Sequence, residues 1–205
     1  MAWIRTLTRA EATGRLAKLY RAIAGSSEAD DDQGQIDNIL RVHSLRPRTL
    51  EGHLALYKAA LHSAPTSLSK VETELVGAYV SALNGCRYCV EHHRAALARR
   101  LSGPEEAAAL LDAALEGAPH PGLSARARAM LGYADKLTRS PQAMVEGDLR
   151  PLREQGLDDA TILELNQVVA YFAYANRTVL GLGVDTLGEV LGLHPPDGGD
   201  SLEHR

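Results

Sequence analysis

The chain has 205 residues, of which 45% are hydrophobic and 23% are charged, proportions typical of a globular protein. Its formal net charge of -4 leaves no excess of basic residues for binding nucleic acid. No apolar run reaches the roughly 18 residues that a membrane-spanning helix needs, and the first residues lack the apolar segment of a signal peptide. We therefore expect a cytoplasmic protein with no membrane or nucleic-acid partner.

The first third of the chain has helical periodicity. Thr8 and Glu11 fit a capping box ahead of an apolar stripe, which predicts a helix over about 9–24. Residues 25–35 are acidic and rich in small side chains, so a mobile loop is expected there. A second helix, with one apolar face, is predicted over about 48–63.

The rest of the chain continues in the same way. Three further segments have helix-start patterns: Ser69 to Glu72, Ser102 to Glu105, and Ser140 with Pro141. The glycines placed to end helices are Gly25, Gly117 and Gly156. Because no stretch alternates strictly between apolar and polar residues, the sequence predicts an all-α fold. We expect one helical domain over residues 1–194 and a disordered tail over 195–205.

Two segments of the sequence resemble each other. Residues 72–84 align with 164–176, which pairs Asn84 with Asn176 and indicates a duplicated helical unit; chance similarity between short apolar helices is the alternative. Asn176 lies within an apolar run, so we expect it to make buried hydrogen bonds. A place in the lining of a substrate pocket is the other interpretation.

Both cysteines of the chain lie near a predicted helix start. The dipeptide at 84–85, Asn-Gly, is typical of a turn, so a new helix is expected to begin near Cys86. Exposed amides and the helix dipole at this position favour thiolates and lower the cysteine pKa. Cys86, Cys89 and His93 are spaced three and four residues apart and therefore share one helix face.

A glutamate in the preceding helix completes a possible constellation. If the two helices fold back on each other at the turn, Glu74 and His93 reach similar heights and can face each other. The carboxylate would fix the imidazole tautomer, which leaves the other ring nitrogen free to accept a proton from a thiol. Alternatively, His93 is a surface histidine and Glu74 a solvated helix residue.

Other interpretations of the cysteine pair remain. Both can be small buried hydrophobic residues, or they can bind a metal together with Glu91, His92 or His93. A structural zinc site usually needs a second ligand pair from another loop, and the chain has no further cysteines, so we predict neither a metal nor a cofactor. His92 is rotated by about 100° from His93 and is expected to be exposed or to contact another subunit.

Glu74, Cys86, Cys89 and His93 together resemble the Glu…Cys-x-x-Cys-x-x-x-His signature of the alkylhydroperoxidase D-like family, in the carboxymuconolactone decarboxylase superfamily. The flanking residues resemble its branch of uncharacterised peroxidase-related enzymes, and the resemblance extends from about residue 36 to 184. It implies a multi-helix fold in trimers or hexamers. It also implies an antioxidant peroxidase that reduces hydrogen peroxide or organic hydroperoxides.

The resemblance also implies residue roles. Cys89 would attack the hydroperoxide, Cys86 would resolve the sulfenic acid to a disulfide, and His93 with Glu74 would relay the proton. A dihydrolipoyl group or thioredoxin-like protein would then reduce the disulfide. Tyr88 departs from the family pattern, because well-studied members have a histidine at this position. The alternatives are a redox sensor or disulfide-exchange protein without efficient turnover, and a decarboxylase-like activity, although such relatives generally lack the cysteine pair.

Overall fold

The computed structural model describes residues 2–24, 36–62, 66–195 and 201–203. These residues form α-helices and two short 3₁₀ helices without any strand, so the predicted all-α fold class is confirmed. The predicted mobile loop over 25–35 and most of the predicted disordered tail over 195–205 lie outside the described residues. In the described part of the chain, no helix combines the length and the apolarity that crossing a bilayer requires.

The described residues contain nine α-helices and two 3₁₀ helices. They are α1 (Gly14–Ala24), α2 (Asn38–Arg41), α3 (Pro47–Leu61), α4 (Lys70–Leu83), α5 (Arg87–Ala98), α6 (Pro104–Glu116), α7 (Ala125–Arg139), α8 (Arg150–Glu154) and α9 (Asp159–Leu182), with 3₁₀ helices at Pro141–Ala143 and Glu146–Leu149. The chain divides into two compact units, Met1–Pro65 with Arg177–Arg205 and Thr66–Asn176. We call these the first and the second unit. The single domain over 1–194 stays a prediction.

The first unit has a core formed largely by α1, α2 and α3. Its buried members are Leu16, Tyr20, Ile23, Ala24, Ile36, Leu40, Leu50 and Leu54. The predicted helix over 48–63 is α3, and its apolar stripe is buried as expected. Tyr20 satisfies its hydroxyl by donating a hydrogen bond to the backbone carbonyl of Leu7 at 3.0 Å.

The predicted start of the first helix is wrong. Thr8 and Glu11 do exchange the reciprocal hydrogen bonds of a capping box, with the Thr8 amide 2.9 Å from the Glu11 carboxylate. However, these bonds close a turn, and α1 begins only at Gly14. Gly14 has a φ of +54°, in the left-handed region, so a regular helix cannot run through it from residue 9.

The second unit contains α4, which packs against α5, α6 and α7. The predicted capping box at its start is confirmed: the Ser69 hydroxyl accepts from the Glu72 amide at 3.2 Å, and the Glu72 carboxylate accepts from the Ser69 amide at 2.8 Å. Residues 73–81 are all buried, so α4 runs through the core of this unit. A polar side chain on this segment therefore needs a partner inside the protein.

Two other predicted caps are wrong. Gly103, with a φ of +123°, is the residue that precedes α6, so Ser102 lies one position too early to bond to the helix amides. Ser140 makes no side-chain cap, although Pro141 does begin a 3₁₀ helix. The predicted stops at Gly117 and Gly156 are confirmed by φ values of +67° and +78°.

Candidate redox site

The two thiols lie at the junction of α4 and α5. α4 ends at Leu83, and Gly85, with a φ of +69°, makes the predicted turn. The Cys86 amide then donates to the carbonyl of Ser81 at 2.8 Å, and α5 begins at the next residue. Cys86 is 0% exposed and Cys89 is 3% exposed, and both are free thiols. The pair is therefore a buried dithiol at the start of a helix.

The two sulfurs interact strongly enough to titrate as a pair. The pKa of Cys86 is lowered, first by a hydrogen bond from the Cys89 thiol and, less strongly, by the Cys89 backbone amide and by Asn176, against an opposing effect of burial. The pKa of Cys89 is raised well above its ordinary value by its bond to Cys86, by burial and by the negative charge on Cys86. The first negative charge of the pair therefore forms on Cys86.

The sequence predicted a lowered pKa for both cysteines, and the structure agrees for only one of them. The expected lowering of the cysteine pKa at the helix start applies to Cys86, which the first amides of α5 can stabilise. The prediction is wrong for Cys89, whose deprotonation would place a second negative charge beside the first in a buried position. Cys89 therefore needs a base if it is to react as a thiolate.

Glu74 and His93 form the predicted contact between α4 and α5. The His93 Nδ1 and Glu74 Oε2 atoms are 2.7 Å apart, and the two side chains are 17% and 7% exposed. Glu74 is therefore not a solvated helix residue. Because an ionised carboxylate only accepts hydrogen bonds, Nδ1 is the protonated ring nitrogen, which leaves Nε2 as the acceptor.

An aromatic side chain from α9 holds the imidazole from another side. Phe172 contacts the His93 ring edge-on, with 4.5 Å between centroids and an interplanar angle of 85°. The Phe172 ring lies directly over Gly77 of α4, where an added Cβ atom would be 2.3 Å from its Cζ atom. Gly77 thus makes room for the ring. The sequence analysis missed both residues, because nothing in the local pattern relates α4 to a phenylalanine far along the chain.

Two polar side chains, Ser81 and Asn176, lie beside the sulfurs, and a third, Asn84, holds Asn176. Asn176 donates to the Ser81 hydroxyl at 3.1 Å and accepts from the Asn84 amide at 2.9 Å. Asn176 also hydrogen-bonds to Cys86 and Cys89, and Ser81 hydrogen-bonds to Cys89. The predicted buried hydrogen-bonding role of Asn176 is confirmed. Ser81 was missed, although a serine within an apolar helix was a signal of a polar contact.

Tyr88 and His92 lie on a neighbouring face of α5. Their rings are in contact, with 4.6 Å between centroids and a tilt of 31°, and the residues are 5% and 7% exposed. An exposed His92 is therefore the wrong prediction, because Tyr88 packs against it from one turn earlier, whereas the alternative of a contact with another subunit stays a prediction. Within the described residues, no three His, Cys, Asp or Glu side chains are arranged to hold a metal ion.

Comparison with known proteins relates this site to a family. Residues 47–136 match the model of the carboxymuconolactone decarboxylase family. A comparison with curated proteins gave no significant match. Among solved structures, an uncharacterised peroxidase-related protein of Silicibacter sp. TM1040 is 28% identical, with 72% of this chain and 74% of that chain covered and a TM-score of 0.64.

Two other solved structures extend the comparison. The alkylhydroperoxidase AhpD core protein of Ralstonia eutropha JMP134, described as an uncharacterised peroxidase-related protein, is 25% identical and has a TM-score of 0.74; the match covers 93% of this chain and 97% of that one. The debrominase Bmp8 shares the fold at 16% identity and a TM-score of 0.67, with 88% and 89% covered. Residues 47–136 thus match the carboxymuconolactone decarboxylase family, and the chain is similar in its all-helical fold to the AhpD-like structures.

Proposed function

We propose that the buried dithiol is the centre of a thiol-dependent peroxidase that reduces hydrogen peroxide or organic hydroperoxides. The observation that carries this proposal is the 2.7 Å contact between His93 and Glu74, next to a cysteine pair on the same helix. A nucleophile, a base and a group that orients the base are thus present on two packed helices. The peroxidase-related description of the Silicibacter and Ralstonia proteins supports the same reaction class.

In the proposed first step, Cys89 attacks the hydroperoxide. His93 takes the thiol proton at Nε2, directly or through a water molecule, while Glu74 stabilises the imidazolium. A bond forms between sulfur and the terminal peroxide oxygen, and the O–O bond breaks. The leaving oxygen takes a proton and departs as water or an alcohol, and Cys89 becomes a sulfenic acid. The raised pKa of Cys89 explains why the site needs a base.

In the proposed second step, Cys86 attacks the sulfenic sulfur. Its lowered pKa favours the thiolate, so the attack requires no additional base. An S–S bond forms, the hydroxide leaves as water after protonation, and the pair becomes a disulfide. An external dithiol, of the dihydrolipoyl or thioredoxin-like class, supplies two electrons by exchange and restores both thiols. We also propose that the chain works as a homotrimer or homohexamer.

Trapping the sulfenic acid tests the order of attack. In Cys86→Ser, one equivalent of hydroperoxide followed by a sulfenate-specific diketone should place the adduct on Cys89, located by peptide mass spectrometry. Cys89→Ser should lose peroxide turnover. An adduct on Cys86 in an active Cys89→Ser variant would reverse the two roles.

The same assay separates the alternative functions. A redox sensor would be oxidised once per subunit and would not turn over with dithiothreitol, dihydrolipoamide or thioredoxin as reductant. If a variant without either thiol kept the wild-type activity, the peroxidase proposal would fail. A reaction like the decarboxylations of the superfamily would then be the better explanation.

A further inference from the structure

Two neutral polar side chains, Ser81 and Asn176, interact with the buried thiols, and a third, Asn84, is bonded to Asn176. Ser81 and Asn176 are 0% and 1% exposed, and Asn84 is half-buried at the end of α4. A hydrogen bond in such an environment is stronger than in water, and an unused polar group is correspondingly unfavourable. The arrangement of these donors therefore decides how easily the dithiol carries a negative charge.

The hydrogen bonds fix the direction in which the Asn176 amide points. Its side-chain oxygen accepts a hydrogen bond from the side-chain Nδ2 atom of Asn84 at 2.9 Å. Its nitrogen has two protons, one of which is donated to the Ser81 hydroxyl at 3.1 Å. The remaining N–H is available to the sulfurs of Cys86 and Cys89, the two thiols whose pKa values a hydrogen bond from Asn176 lowers.

Ser81 continues the chain of donors. Its oxygen accepts from Asn176, which leaves its own proton available to the sulfur of Cys89, the thiol whose pKa a hydrogen bond from Ser81 lowers. Every hydrogen bond of this chain is therefore donated in the same direction, from Asn84 through Asn176 and Ser81 to the thiols. If the Asn176 amide were reversed, its oxygen would face the sulfurs, and it would repel a thiolate instead of stabilising it.

We infer that Asn176 is a positioning residue that stabilises the singly ionised dithiol, and that Asn84 orients it for this role. The inference rests on the proposed function, since it takes the cysteine pair as a redox centre. In this role Asn176 does not react with the peroxide, which only the thiols and His93 do. Its effect would be to set the amount of thiolate present at neutral pH and the stability of the dithiol relative to the disulfide.

The experiment compares Asn176→Ala with wild type in two measurements that use no peroxide. Thiolate absorbance against pH gives the ionisation of the pair, and equilibration with dithiothreitol redox buffers gives the balance between dithiol and disulfide. We expect about tenfold less thiolate at neutral pH in the variant, as for the loss of one hydrogen bond to a charged group. The equilibrium should shift about tenfold towards the disulfide, because the reduced form is destabilised.

Three further variants separate positioning from packing. Asn176→Asp preserves the shape of the side chain but presents an acceptor to the sulfurs, so it should reduce the thiolate at least as much as Asn176→Ala. Asn84→Ala should produce a smaller change in the same direction. Asn166→Ala is the matched control, because Asn166 also lies on α9 and donates to a hydroxyl, that of Tyr133, at 2.8 Å. It should leave both measurements unchanged.

The outcomes are decisive in each case. Unchanged ionisation and disulfide equilibrium in folded Asn176→Ala would overturn the inference. If that variant does not fold, Asn84→Ala decides by the same two measurements. The peroxidase proposal is judged separately: wild type without peroxide turnover but with the expected shifts in the variants would refute the peroxidase and leave the role of Asn176 standing.

Discussion

At the scale of single residues, the contact between His93 and Glu74 is the feature that distinguishes this site from a buried thiol pair. The 2.7 Å contact orients the ring and leaves Nε2 as an acceptor. A thiol whose pKa is raised, as that of Cys89 is, reacts slowly unless a base removes its proton. The role of His93 is therefore open to a direct kinetic test.

We expect His93→Gln to slow the formation of the Cys89 sulfenic acid by roughly 10²–10⁴-fold, the usual contribution of a general base. The measurement is single-turnover consumption of hydroperoxide by the Cys86→Ser protein with and without the substitution. His120→Gln is a matched control, since His120 also faces a carboxylate, that of Glu106, at 3.8 Å. Equal rates in His93→Gln and its parent would remove His93 from the mechanism.

Much of the site could be predicted from sequence because its members are close together along the chain. Helical spacing places Cys86, Cys89 and His93 on one face, and the turn at 84–85 predicts that Glu74 lies opposite. The unequal pKa shifts of the two thiols could not be predicted, because they depend on the hydrogen bond between the thiols, on burial and, less strongly, on Asn176 of α9. Those partners come from about 90 residues further along the chain.

At the scale of helices, α9 can approach α4 closely because residue 77 is a glycine. The Phe172 ring fills the space where a Cβ atom of residue 77 would lie, and the same ring packs against His93. A protein interior is packed too densely to move a buried ring without disturbing its neighbours. The position of His93, the proposed base, is therefore coupled to the packing between two helices.

We expect Gly77→Ala to destabilise the protein by about 1–3 kcal/mol, as overpacking of a core does, and to slow sulfenic acid formation as well. Gly132→Ala is the matched control, because Gly132 is also helical but has nothing within 4 Å of an added Cβ atom. That control should stabilise the protein by about 0.4–1 kcal/mol. Urea unfolding monitored by circular dichroism checks both, and equal stabilities for the two variants would contradict the packing argument.

Helix positions were easier to predict than helix starts. The start pattern at 69–72 and the turn dipeptide at 84–85 agree with α4, which begins at Lys70 and ends at Leu83. At Thr8 and Glu11 the capping hydrogen bonds form, yet the helix begins later, because Gly14 adopts a left-handed conformation. A local motif specifies its own hydrogen bonds, whereas the backbone after it decides whether a helix follows.

At the scale of the whole molecule, the stability of the protein at acidic pH should depend on His43, which lies far from the thiols in sequence. In the first unit, burial lowers the pKa of His43 from its ordinary value of 6.5. The His43 Nδ1 atom lies 3.1 Å from the Thr49 hydroxyl, and its Nε2 atom is buried without a hydrogen-bond partner among the described residues. Protonation of this ring would therefore place a charge where nothing compensates it.

We expect the free energy of unfolding to fall as the pH drops below about 6.5, because the unfolded chain then binds more protons than the folded one. The loss is complete once the pH is below the lowered pKa of folded His43. His43→Gln should make the profile flatter, measured by urea unfolding between pH 8 and pH 5. Parallel profiles for variant and wild type would show that another group controls the acid response.

The sequence positions of the groups around the thiols also carry a consequence for the order of folding. Glu74 and His93 are 19 residues apart, whereas Asn84 and Asn176 are 92 apart. Closing the short segment costs less chain entropy than recruiting a residue from α9. The hairpin of α4 and α5 can therefore form first, with unprotected sulfurs. The rate at which the cysteines become protected from labelling during refolding would then report the rate at which α9 packs onto this hairpin. The thiols are thus natural probes of a late stage of folding.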